Sequence, residues 1–340
     1  MDIDLNSSIG LSSYPDANLS WANVKTLPEL VCAVIISLLG IVGNSAACFV
    51  VWRMNKSNSN VRLLVINQSI VDLIASCIFT LFYVVPQIQI TYNATAATVY
   101  CKLYWSEMLQ YTTWIASSTN LTLIALDRYY AAIHPIRYHN NQQKINFKLV
   151  FLFEWIYAIC CELYWPLTME YKNGGCEPAE IVSRIGLLIV EVFFMVILPL
   201  TCMSYAYINI YLMFKKKERQ ITVTNSANDA VTVAQGSSWS KASTNIVKTF
   251  IVVTVSFALC WLPLTVYNFV HVCSGIVSYE GFIYNMCLVL ACCNMCVNPL
   301  IYLFKYDRFK RELRRICECG VQDTSSNLRT TQTILEESQL

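Results

Sequence analysis

The chain has 340 residues, 56% hydrophobic and only 14% charged, with a mean hydropathy of +0.46 and a formal net charge of +2. A soluble domain carries about 25% charged residues, so most of this chain does not face water, and a soluble enzyme or a nucleic-acid-binding protein is excluded. Most of the 16 cysteines sit inside apolar runs as small hydrophobes, and the group Cys292, Cys293 and Cys296 has no histidine beside it to make a metal site.

Residues 1–28 are polar, contain Pro15 and hold acceptor sequons at Asn6 and Asn18. They lack the basic start and apolar centre of a cleaved signal peptide and read as a short, glycosylated extracellular tail. A membrane span needs ~20 largely apolar residues, and seven candidates follow: about Glu29–Trp52, Leu63–Pro86, Lys102–Ile133, Phe147–Leu167, Ile181–Phe214, Thr244–Val272 and Phe282–Phe304. The connections are short except for 215–243, whose polar, Ser/Thr-rich sequence reads as a flexible loop. Of the 24 lysines and arginines, all but Lys25, Lys102, Lys172 and Arg184 fall on one side of these spans. Positive loops stay inside, which puts the amino terminus outside and the carboxyl terminus in the cytoplasm. The fold class is therefore all-α integral membrane: a bundle at 29–304, an amphipathic inner-surface helix at 305–316 and a cytoplasmic tail at 317–340. In that short helix basic residues alternate with Tyr306, Phe309, Leu313 and Ile316 at helical spacing. Cys317 and Cys319 just beyond it are candidates for palmitoylation.

Several spans carry residues that lipid penalises. Span one holds Gly40, Gly43 and Asn44, the glycines allowing close helix contact. Span two has Asp72 at mid-helix, expensive unless it faces a polar cavity. The apolar run of span three stops at Asp127-Arg128-Tyr129, an acid and a base free to pair at the inner face. Span four has Trp155, more simply explained by packing, beside Glu154, an acid with no evident partner. Prolines at 199, 263 and 299 each free a backbone carbonyl and kink a helix. Kinks in three successive spans point to helices that hinge.

In this order, one motif to a span, the chain over about residues 29–316 resembles the rhodopsin-like (class A) G-protein-coupled receptors. The matching residues are Gly43-Asn44, Asp72, Cys101 with Cys176, Asp127-Arg128-Tyr129, Trp155, Pro199 with Tyr207, Cys260-Trp261-Leu262-Pro263 and Asn298-Pro299-Leu300-Ile301-Tyr302. The resemblance implies a plasma-membrane receptor, not an enzyme, with a Cys101–Cys176 disulfide and an intracellular heterotrimeric G protein as partner, followed by receptor kinase and arrestin. It implies that Asp127 restrains Arg128 until activation, that Trp261 switches beneath the ligand, and that Tyr207 and Tyr302 swing in as helices five to seven move. It also implies a buried pocket of Asn44, Asp72, Ser117, Asn294 and Asn298 for an allosteric sodium ion, with no other cofactor. Two departures stand out. Cys101 lies two residues further from Arg128 than is usual, which calls for a bulge or a higher disulfide. The inner end of span six, near Ser243 and Lys248, offers no acid to latch Arg128.

Gln110 stands where amine receptors of this family carry an aspartate, and the region of span seven where opsins carry a lysine has none. The outer half is acidic: Asp2, Asp4, Asp16, Glu29, Glu107, Glu162, Glu170, Glu177, Glu180, Glu191 and Glu280 face four basic residues. Glu191, two turns outward of Pro199, and Glu162 lie inside spans, where acids are seldom without function. With Gln110, Trp261, Tyr267, Asn268, His271 and Tyr284 they outline a pocket for a cationic peptide; the alternative, a lipid or other small molecule, if anionic would want basic residues there, and the spans offer only Arg184 near the rim. A transporter would show repeated halves, and no repeat is visible. The tail offers Ser325, Ser326, Thr330, Thr331 and Thr333 to kinases, and Ser338-Gln339-Leu340 has the form of a PDZ ligand.

Overall fold

The computed structural model describes residues 27–53, 60–84, 94–141, 144–172, 175–178, 184–224, 230–274, 281–305, 309–315 and 318. Asn6, Asn18, Cys317, Cys319 and the phosphorylation and PDZ candidates of the tail lie outside the described residues, as do the side chains of Tyr302, Ser243 and Lys248.

Helices α1 (Leu27–Arg53) and α2 (Asn60–Tyr83) pack side by side. α3 (Ala94–Tyr100) runs into a π-helical turn, Cys101–Trp105, and Glu107 then breaks the chain before α4 (Met108–Ile133). Glu107 adopts a left-handed conformation at φ 50°, which is strained for a residue with a Cβ. Its carboxylate accepts a 2.7 Å hydrogen bond from the Tyr83 hydroxyl. The wide turn and this break absorb the extra residues between Cys101 and Arg128, so the helix top does contain a bulge. Beyond α4 come α5 (Pro135–Asn141), α6 (Phe147–Glu162) and α7 (Tyr164–Thr168). Asn146 caps α6 by accepting from the Lys148 N–H at 3.2 Å.

Strands β1 (Met169–Lys172) and β2 (Gly175–Pro178) form an antiparallel hairpin with Tyr171 opposite Cys176. The disulfide Cys101–Cys176, with Cα atoms 5.3 Å apart, pins that hairpin to the π turn above α4. α8 (Arg184–Val192) passes through a second π turn, Phe193–Ile197, into α9 (Leu198–Thr224). α10 (Ala230–Ser274) contains Pro263, and α11 (Phe282–Cys292) breaks at Cys293 before α12 (Asn294–Lys305), which contains Pro299. Much of the expected loop 215–243 is thus helical. Its flanks hold no proline and only one glycine, Gly236, so nothing stops α9 or α10 from continuing.

Five of these helical stretches are long and apolar enough to cross a membrane by length and composition alone. α4 is diluted by Gln110, Thr112, Thr113, Ser117, Ser118 and Asn120, all turned inward and buried. α6 is short and reaches its full length only through α7. With these two the bundle has seven spans. Large apolar side chains such as Leu38, Val42, Phe153, Ile208 and Leu259 point outward and exposed, an arrangement that lipid solvates and water penalises. α4 lies at the centre, against α2, α6 and α9, while α10 touches α9, α11 and α12. The core there joins Phe79, Trp114, Ile115, Met203, Phe257 and Trp261. Close approach depends on small residues: a Cβ on Gly40 would run into Ser76 of α2, and one on Gly43 would lie 3.3 Å from Pro299. Residues 309–315 are helical, and Phe309 is buried with Ala47, Val50 and Val51 of α1.

Candidate functional site

At the disulfide end, a narrow cavity of about 20 Å³ opens between α4, α8 and α10, room for a water molecule. Tyr111, Glu191, Met195, Trp261, Leu264, Thr265 and Asn268 are among its lining residues. Three of the expected pocket residues, Glu191, Trp261 and Asn268, therefore meet there. Its two lining aromatics, Tyr111 and Trp261, continue into a row of rings: Tyr111 to Trp114 at 5.0 Å, Trp114 edge-on to Trp261 at 5.2 Å, and Trp261 to Phe257 at 6.3 Å. Tyr111 and Trp114 escaped the sequence reading; their i, i+3 spacing beside Gln110 was the available signal. Gln110 and Glu162 are fully buried behind this surface rather than lining it. Tyr267, His271 and Tyr284 also fall outside the lining, with Tyr267 and Tyr284 packed ring to ring at 5.6 Å.

The polar accounting around this cavity does not close. Both amide atoms of Gln110, Oε2 of Glu162, Oδ1 of Asn268 and the indole N–H groups of Trp114 and Trp261 are buried without a hydrogen-bond partner among the described residues. An unpaired buried polar group costs about 1–3 kcal/mol, and so many in one place mark a site that something else completes. Tyr111 interacts electrostatically with both Glu191 and Glu162, and the two carboxyl groups feel each other. On the hairpin above, Lys172 pairs with Glu170 at 2.6 Å and holds that carboxyl below its ordinary range by hydrogen bond and charge.

At mid-bundle a chain of three side-chain amides joins two acids. Asn67 donates to both carboxyl oxygens of Glu154, at 3.1 and 3.0 Å, and to Oδ1 of Asn120 at 3.1 Å. Asn120 donates to Oε1 of Gln68 at 2.8 Å and to the Leu64 carbonyl at 2.9 Å. Gln68 donates to Asp72 and Ser117, Ser117 donates to Oδ1 of Asp72 at 2.6 Å, and Asn298 donates to Oδ2 at 2.8 Å. Glu154, expected to lack a partner, has one in Asn67. Asn44 turns its amide to the carbonyls of Gly40 and Met295, and Asn294 is buried at the start of α12. Of the five residues expected around a sodium ion, Asp72, Ser117 and Asn298 are joined directly by hydrogen bonds.

At the opposite end, Arg128 Nη2 pairs with Asp127 Oδ2 at 2.9 Å. The Tyr138 hydroxyl of α5 donates to the same carboxylate at 3.1 and 3.3 Å. Burial and the Asp127 charge push that hydroxyl up from its ordinary pKa, so it stays a donor. Tyr129 packs on Tyr205 at 5.7 Å, and Tyr207, Asn298 and Pro299 are buried, with Pro263 half-buried.

Residues 43–302 match the model of the 7 transmembrane receptor (rhodopsin family). The adenosine receptor A2a of the dog, Canis lupus familiaris, is 26% identical over 304 residues, covering 84% of this chain and 71% of that receptor. The cavity, the buried Asp72 cluster and the Asp127–Arg128 pair lie within the matched span, and the chain belongs to the rhodopsin family of seven-transmembrane receptors.

Proposed function

We propose that this receptor recognises a cationic extracellular ligand, a peptide with a basic or amidated end, and passes the signal to a heterotrimeric G protein at the Asp127–Arg128 end. The single observation behind this reading is the acidic, unsatisfied cavity. Glu191 lines it, Glu162 lies buried behind it, and no lysine, arginine or histidine is among its lining residues. Gln110 and Asn268 hold unpaired amide atoms suited to a peptide backbone or terminal amide. Because the cavity is narrow, the ligand must widen it, pressing on Trp261 between Trp114 and Phe257. The lysine and arginine distribution supports an extracellular amino terminus, and receptor kinase and arrestin are proposed partners of the tail.

A small uncharged ligand is the second reading. The dog relative is named for adenosine, and the unpaired Oδ1 of Asn268 would accept from an exocyclic amine. Cells expressing the chain, screened with short basic and amidated peptides and with adenosine in calcium and cAMP assays, separate the two. Glu191→Gln is expected to weaken a cationic agonist at least about thirtyfold, since truncating one side of a buried charge pair costs roughly 2 kcal/mol or more. An agonist that is acidic or uncharged, or indifferent to Glu191, overturns the proposal.

A further inference from the structure

We infer that the amide of Gln68 stands in for the sodium ion that the family resemblance implies at Asp72, so that sodium does not govern this receptor's conformational balance. Gln68 lies one turn before Asp72 on α2 and is fully buried. Its Nε2 sits 3.1 and 3.0 Å from the two Asp72 oxygens and 2.7 Å from Ser117 Oγ. Those are the oxygens a cation would have to reach, so an ion drawn to them overlaps the amide.

The lone pairs are also taken. Asp72 Oδ1 accepts from Ser117 and Gln68, and Oδ2 accepts from Asn298 and Gln68. A carboxylate offers about four acceptor sites, so three neutral donors leave no vacancy for a metal. Nor is Gln68 free to swing aside. Its Oε1 accepts from Asn120, which Asn67 ties in turn to Glu154. Displacing the amide would break its bonds to Asp72, Ser117 and Asn120 together. The amide chain running to Glu154 thus serves to hold a plug in place.

The test is thermal melting of the purified receptor in nanodiscs, in sodium chloride against N-methylglucamine chloride at equal ionic strength. The wild-type midpoint is expected to agree between the two salts within about 1 °C. Gln68→Ala empties the position and is expected to gain a saturable, sodium-specific rise of roughly 3 °C. A saturable sodium rise in the wild type overturns the inference, as does a folded Gln68→Ala protein that ignores sodium. If Gln68→Ala does not fold, the wild-type comparison alone decides.

Discussion

Truncating Asn120 to alanine tests whether the buried amide chain stabilises the bundle. Asn120 is fully buried on α4 and makes three hydrogen bonds across to α2: to Leu64 O, to Gln68 Oε1 and from Asn67 Nδ2. Bonds between membrane helices average about 0.6 kcal/mol each, so their direct loss is worth about 2 kcal/mol. Asn67 keeps Glu154 as a partner, but Gln68 Oε1 loses its donor, and an orphaned buried acceptor costs about 1–3 kcal/mol. The combined loss is about 2–4 kcal/mol, partly overlapping, and at about 2–4 °C per kcal/mol the melting point should fall by roughly 4–16 °C. The assay is a melt of purified receptor at fixed scan rate, with Leu126→Ala on the exposed, lipid-facing side of α4 as control. Asn120→Ala melting within about 1 °C of wild type would refute the reasoning.

Gly40→Ala drives a Cβ against Ser76, whose own Cβ would lie 2.9 Å away. It should cost about 1–3 kcal/mol, seen as lower surface expression, and adding Ser76→Gly should restore much of it. Tyr138→Phe removes one donor from Asp127 while leaving the Arg128 pair. Basal nucleotide exchange should rise roughly two- to tenfold, as for loss of one hydrogen bond, and less than with Asp127→Asn; an unchanged basal rate counts against Tyr138 as a restraint.

The spans were legible because lipid leaves so few solutions: every backbone group must be paired within a helix, so long apolar runs declare themselves. α4 and α6 needed more, since the polar residues of one face inward and the other borrows length from α7. The meeting of Asp72 with Ser117 and Asn298 was expected only from family resemblance, because those residues come from three different helices. Gln68 was passed over although its spacing to Asp72 is visible; only packing shows that its amide turns toward the carboxylate rather than away. Glu154 read as alone because its partner, Asn67, lies on another span. Much of the segment expected as a loop, 215–243, is helical because Ser and Thr disfavour helix only weakly. Gln110 and Glu162 are expected in the pocket, yet both are fully buried and neither is among the cavity's lining residues.

The central claim is that this chain turns an extracellular signal into G-protein activation through Arg128. Guanine-nucleotide exchange on purified heterotrimeric G proteins by the chain in nanodiscs measures it directly, with wild type and Arg128→Ala in parallel. Exchange by the wild type, and its loss in an Arg128→Ala protein that still folds and reaches the membrane, is the predicted result. Equal exchange by the two would contradict the account.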